Sequence, residues 1–251
     1  MSIVSSELLL FWSASKPTAD TGTSGGAIDL DWRPVFTQLA ANDDLEVLSS
    51  SAGDTTQTAT VWCRNAAGSI VTEGVTLNGT TAVIFSTIST VERVLKFQLS
   101  ADAAGTVTLR RSVAGATVGT VPIGERGFQI MFYDSSSDPG TTKTRYEKIF
   151  AKNTNATNAL LSATVELDAD PSTVLNIRLE DAQNDNNSAA DRLTEPTGNG
   201  GSWTGVGTAI AVPSTDLAAS GAIGTWVRQS LATGNAAIKN SFDMIISGAT
   251  T

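Results

Sequence analysis

The side chains this chain could use for chemistry are its 25 Asp and Glu, its hydroxyls, five tryptophans and one cysteine, Cys63; it contains no histidine. Histidine is the side chain whose unperturbed pKa lies near neutrality. Without it, a serine or cysteine nucleophile lacks its usual imidazole base. Zinc would find one thiolate and no imidazole. No catalytic, cofactor-binding or metal-ligating residue is assigned, and the chain reads as a non-enzymatic protein that holds other molecules in place.

Two groups of carboxylates bear on that reading. Asp29 and Asp31 flank Leu30, so in an extended segment both face one side. Paired carboxylates can hydrolyse glycosides, but a β-rich chain of this size contains such pairs by default. The densest acidic stretch runs Glu180–Asp181–Ala182–Gln183–Asn184–Asp185–Asn186–Asn187, with Asp191 beyond. Calcium favours several oxygen ligands, yet this stretch lacks the central glycine and closing glutamate of an EF-hand loop. It is read as a solvated surface loop. Gly25–Gly26 and Gly200–Gly201 match neither a P-loop nor a dinucleotide fingerprint.

The tryptophans point to contacts instead. Trp62 and Trp226 sit inside strand-like patterns and read as core. Trp203 follows the glycine-rich run Gly198–Asn199–Gly200–Gly201–Ser202, where burial is less secure. Phe11, Trp12, Trp32, Pro34 and Phe36 fall in an N-terminal segment too irregular to form a domain alone. That segment must pack on the rest of the chain or dock on a partner. The candidate interface is therefore Phe11, Trp12, Trp32, Pro34, Phe36 and Trp203, as exposed aromatics anchor protein interfaces and stack on sugars.

Composition bounds the partners. The formal net charge is -9, and charged residues make up 16% of the chain, against roughly 25% in ordinary soluble domains. An acidic chain without a basic run suits neither counterion release from nucleic acid nor adsorption on an anionic membrane. The apolar run Leu8–Trp12 has no basic residue before it and is shorter than a signal peptide's apolar region, so synthesis in a cytoplasm without export is expected. One cysteine excludes an intrachain disulfide.

Strand signals position these residues. Residues 57–64 and 70–77 read as a hairpin turning at Gly68. Segments 93–100, 106–111 and 116–123 complete a compact immunoglobulin-like sandwich. Further strands are expected at 128–133, 145–153, 162–167, 173–179, 208–212, 224–229 and 243–247, with polar loops at 134–144 and 183–202. The only helical signal is a turn or two near 35–41. The fold class is all-β: two antiparallel β-sandwich domains, one of them an immunoglobulin-like insertion. The division is 1–45 as N-terminal arm and first part of a discontinuous β-domain, 46–126 as the insertion, and 127–251 as the main sandwich.

Three stretches carry a resemblance. Met1–Ser2–Ile3–Val4–Ser5–Ser6–Glu7–Leu8 with Trp12–Ser13–Ala14, the segment Thr144–Arg145–Tyr146–Glu147–Lys148–Ile149–Phe150–Ala151–Lys152–Asn153–Thr154–Asn155, and Gly224–Thr225–Trp226–Val227–Arg228 resemble segments of virion structural proteins of tailed bacteriophages. The resemblance covers the first forty or so residues and about 144 to 251. Shorter proteins of that group run almost directly from the first stretch into the second, so 46–126 looks like an insertion at an exposed loop. The resemblance implies a capsid decoration or cement protein, located in the virion and binding the major capsid protein or other virion proteins as a homo-oligomer, a dimer or trimer. The alternatives are a neck or tail component, or a tail adhesin binding host surface glycan. No cofactor, nucleic acid or membrane partner is implied.

Overall fold

The computed structural model describes residues 2–133, 140–197, 201–235 and 241–250. Part of the expected 134–144 loop and the run Gly198–Asn199–Gly200 lie outside the described residues. The fold is all-β. Its one helical element among the described residues is a single 3-10 turn, Ser5–Glu7; the helical signal near 35–41 does not form a helix.

The chain opens with β1 (Leu8–Ser15) and β2 (Ser24–Asp29). It continues through β3 (Trp32–Arg33), β4 (Leu45–Ser49), β5 (Thr58–Asn65), β6 (Ile70–Thr76), β7 (Val83–Ile84), β8 (Val91–Leu99), β9 (Val107–Arg111), β10 (Thr117–Val121) and β11 (Gly127–Gln129). Then come β12 (Lys143–Asn153), β13 (Leu161–Ala169), β14 (Leu175–Gln183), β15 (Ser188–Ala189), β16 (Ile210–Ala211), β17 (Ala222–Leu231) and β18 (Asp243–Ala249). They form two compact units: Met1–Asp29 with Phe132–Thr251, and Leu30–Met131.

The Leu30–Met131 unit is a two-sheet sandwich. One sheet has the order β10-β9-β4-β7 and the other β3-β11-β8-β5-β6. Alternation makes this possible: β5 buries Ala59, Val61 and Cys63 and turns the residues between them outward. Leu45, Val47, Val107 and Leu109 from the first sheet and Val61, Phe97, Leu99 and Phe128 from the second share one core. The β5–β6 hairpin turns where expected. Gly68 takes a φ of 83 that disfavours other residues, and Asn65 Oδ1 accepts the backbone N–H of Ala67 and Ser69. Pairing is antiparallel except where β11 meets β3 in parallel, Gly127 with Trp32 and Phe128 with Arg33. That pairing, together with Phe36 packed 4.6 Å from Phe128, places residues 30–45 in this unit.

The other unit is built on a six-stranded sheet, β14-β17-β12-β1-β2-β15, and a three-stranded sheet, β16-β13-β18. The apolar run Leu8–Trp12 is strand β1, in register with β12 from Leu8–Asn153 to Trp12–Ile149. Strand β12 also pairs with β17 along nearly its whole length. It is buried on both faces. Side chains alternate across a strand, so Tyr146, Lys148 and Phe150 share one face, and Arg145, Glu147 and Ile149 the other. Burial of Ile149, Ile177 and Val227 on the large sheet, and of Ala163, Val165 and Leu167 on the small one, makes the apolar core.

Two measurements check the insert's core. Phe97→Ala should lower the stability of this unit by about 3–5 kcal/mol in chemical denaturation, as a large buried ring is removed. Cys63 is fully buried, and burial, with Glu73 adding to it, pushes its thiol up to about 12. A thiol reagent should leave it unmodified in the native protein and label it once denaturant is added.

Candidate functional site

On the Tyr146 face of β12, three neighbouring strands bring large polar side chains into rows. The register sets Asn176 of β14 beside Arg228 of β17, and Arg228 beside Tyr146 of β12. In the next row lie Arg178, Trp226 and Lys148. Thr204 then adds to the edge of β14 through backbone hydrogen bonds in both directions with Ile177. This brings Trp203 over the first row.

The half-buried Trp203 indole covers a cluster in which Tyr146 and Arg178 are buried and Arg228 is half-buried. The guanidinium carbons of Arg178 and Arg228 lie 4.5 and 4.9 Å from its ring centroid, and the Tyr146 ring is 5.5 Å away. Trp203 Nε1 donates to Glu195 Oε1 at 2.8 Å, so the ring cannot spin freely. Arg178 Nη2 donates to the Pro196 carbonyl at 2.7 Å, and Arg228 Nη2 to Asn176 Oδ1 at 2.7 Å. Burial and the Glu195 charge push the Tyr146 phenol up, which keeps it a neutral donor. Cations against an aromatic face are worth more as water is excluded. A partner covering this cluster would therefore strengthen contacts already in place. Beside it, a cleft of about 330 Å³ is lined by Arg178, Asp181, Ser202, Thr204 and Pro213 among others.

Of the candidate interface residues, Trp203 belongs to this cluster. Trp12, Phe11 and Trp32 are corrected: each is buried inside its own unit, so none offers surface to a partner without opening a sheet. Trp12 is held between β12 and β2 by its own strand pairing. Trp32 lies under the Lys96 ammonium, 4.9 Å from its ring. Pro34 and Phe36 are half-buried in the Leu30–Met131 unit. The solvated-loop reading of the acidic stretch holds for Asp181, Ala182, Asn184, Asn186 and Asn187, which are exposed, and is corrected at Glu180 and Asp185. Glu180 is fully buried in β14, and its carboxylate accepts from the Trp226 indole at 2.6 Å. Asp185 is buried to within 6% at its side chain. Asp29 is held by Lys16 at 2.5 Å. Among the described residues, no group of three or more Cys, Asp and Glu is placed to hold a metal ion.

The opposite face of β12 carries a second charged network. Arg145 Nε donates to Asp20 Oδ1 at 2.7 Å, and Arg192 Nη2 to the same oxygen at 2.6 Å. Arg192 Nη1 also reaches Glu147 at 3.3 Å, while the Phe132 N–H donates to Glu147 at 2.7 Å. These partners are far apart in sequence, so no local spacing announced them. The one available signal was the alternation Arg145–Tyr146–Glu147–Lys148 inside a strand, where charges on both faces demand partners on both.

No family model, no curated protein and no solved structure matches this chain.

The second network titrates in two opposite directions. Burial pushes Glu147 up to about 7 from 4.5, against the pull of Arg192 and Phe132 N–H. The native state thus holds that proton more tightly than the unfolded chain, and stability should fall as pH rises from about 4.5 to about 7. Burial also acts to raise Asp20, but hydrogen bonds from Arg145, Lys143 and Arg192 outweigh it and hold the carboxyl well below the usual range. Its contribution is present above pH 3.8 and is lost as pH falls below that. Denaturation midpoints against pH should flatten between 4.5 and 7 in Glu147→Gln. In Asp20→Asn they should drop throughout the neutral range.

Proposed function

We propose that this protein is a non-enzymatic structural protein of a tailed-bacteriophage virion, a capsid decoration or cement protein that binds across neighbouring capsid subunits. The virion assignment rests on the resemblance carried by residues 1–14, 144–155 and 224–228. The mode of action rests on the Trp203 cluster. Trp, Tyr and Arg are the residue types that dominate binding energy at protein interfaces. Here Trp203 and Arg228 are the members that meet solvent, backed by the buried Tyr146 and Arg178, with Glu195 fixing the indole. A pre-set anchor of this kind loses little side-chain freedom on docking.

The bulk charge fits the same reading. A net charge of -9 disfavours adhesion to packaged DNA. Many of the basic side chains are engaged internally, Arg145 and Arg192 by Asp20, Arg110 by Glu46 and Arg33 by Glu125. The partner is the major capsid protein or another virion protein, and a dimer or trimer on the lattice is the expected state. A neck or tail component, or a tail adhesin stacking Trp203 on host glycan, is the alternative.

Particles stripped of this chain provide the test. Purified protein should rebind them, and Trp203→Ala should weaken binding by about 30-fold, equivalent to about 2 kcal/mol for an anchor residue, with its melting temperature little changed. Equal binding by the variant overturns the assignment of the contact. Binding to isolated host glycan but not to the particle shell selects the adhesin instead.

A further inference from the structure

The second row on the Tyr146 face holds three groups that the proposed function does not use. Lys148, Glu180 and Asp185 meet inside the Met1–Asp29 and Phe132–Thr251 unit, on adjacent strands and the turn after β14. The side chains of Lys148 and Glu180 are fully buried. Lys148 Nζ touches Asp185 Oδ1 directly, lies 3.2 Å from Glu180 Oε1, and donates to the Asn187 carbonyl at 3.1 Å. Aromatic rings wall the site, with Phe150 and Trp226 centred 4.9 and 5.5 Å from Nζ.

We propose that Lys148 and Asp185 condense into an intramolecular amide, with Glu180 as the proton carrier. Four features of the site favour this. First, one ammonium and two carboxylates carry a net negative charge in an apolar enclosure, which costs heavily unless protons are rearranged. Burial pushes the Asp185 carboxyl up, with the Glu180 charge acting in the same direction; that is the protonation state a carboxyl needs to be attacked by an amine. Second, Asp185 Oδ2 is buried and has no hydrogen-bond partner among the described residues, whereas Oδ1 accepts from Lys148 and the Asn187 N–H. The oxygen that must leave is thus the one that nothing holds. Third, Glu180 is fixed at both oxygens, by Trp226 Nε1 at 2.6 Å and Asn187 Nδ2 at 3.0 Å, within reach of Nζ.

The fourth feature is Gly224 of β17. A Cβ at that position would sit 2.5 Å from Asp185 Oδ2, 2.6 Å from Lys148 Cε and 2.8 Å from Glu180 Cγ. All three members converge on the one place where β17 carries no side chain. The β14–β17 register slips between Leu179 and Gln183, opposite this glycine. A glycine and a bulge mark a close approach of groups to the backbone.

The balance is simple. Glu180 carries one ammonium proton to Asp185 Oδ2, leaving a neutral amine and a carboxylic acid whose hydroxyl is at Oδ2. The Nζ lone pair attacks Asp185 Cγ, forming the C–N bond. Glu180 takes a proton from Nζ and delivers it to the Oδ2 hydroxyl, which departs with the C–O bond as water. The products are one amide and one water molecule, with no oxidant or cofactor. Holding the reactants in contact supplies an effective concentration far above that of free groups, on the order of 10⁵ M or more. The bond would clamp β12 to the segment after β14 independently of the function proposed above.

Peptide mass mapping of the full chain, purified and held at neutral pH, decides the matter. Trypsin should release residues 146–152 joined to residues 179–192, at the sum of their masses less one water. Fragmentation should place the link between Lys148 and Asp185. Glu180→Gln and Lys148→Arg should each return three linear peptides, 146–148, 149–152 and 179–192, and circular dichroism should report that both variants keep their β structure. Those three linear peptides from the unaltered protein overturn the proposal without reference to any variant. A linked peptide that persists in Glu180→Gln overturns the role of Glu180.

Discussion

Strand β12 lays down the constraint on which half of this protein depends. It runs through the middle of a six-stranded sheet with both faces covered, yet carries Arg145, Glu147 and Lys148 where aliphatic residues would be expected. An isolated buried charge is prohibitive, so each must meet an opposite charge arriving from elsewhere. Asp20 comes from the loop after β1, Arg192 from the stretch after β15, and Glu180 and Asp185 from β14 and its turn. Three separate parts of the chain are thereby fixed around one strand. Replacing such a network with apolar residues can be neutral for stability, but removing one member strands a charge. The network therefore acts on specificity: it permits one arrangement of these segments.

The same strand explains how a discontinuous unit can accept a second one within it. The β1–β12 register and the Asp20–Arg145 pair join the two ends of the unit across more than a hundred intervening residues. The closing cost of a longer loop grows only slowly with its length. The Leu30–Met131 unit brings its own core, from Leu45 to Phe128. Function then falls to what the sheet leaves partly uncovered, and on the Tyr146 face that is Trp203, already oriented by Glu195 and flanked by two guanidinium groups.

Much of the fold was legible because alternation survives wherever one face of a strand is wet. Strands β5 and β6 and the turn at Gly68 follow directly from the pattern of residues 57–77. Strand β1 was harder, since Leu8–Trp12 is apolar without a break and shows no period, as expected of a strand covered on both sides. The site was legible only in part. Trp203 was visible as an indole next to a glycine-rich run, but Tyr146, Arg178 and Arg228 read as ordinary strand residues until the register aligned them. The acidic stretch misled because local composition says solvent, while Lys148, the group that buries Glu180 and Asp185, lies more than thirty residues upstream. Trp12 and Trp32 misled in the opposite sense, as aromatics in an irregular segment that their own units enclose.

The most direct measurement is a cryo-electron microscopy reconstruction of the particle that carries this chain, with the chain traced in the map. Density should repeat over the capsid lattice, with Trp203 and Arg228 covered by a neighbouring subunit. Density confined to the neck or tail, or a lattice position in which that face points to solvent, would contradict it.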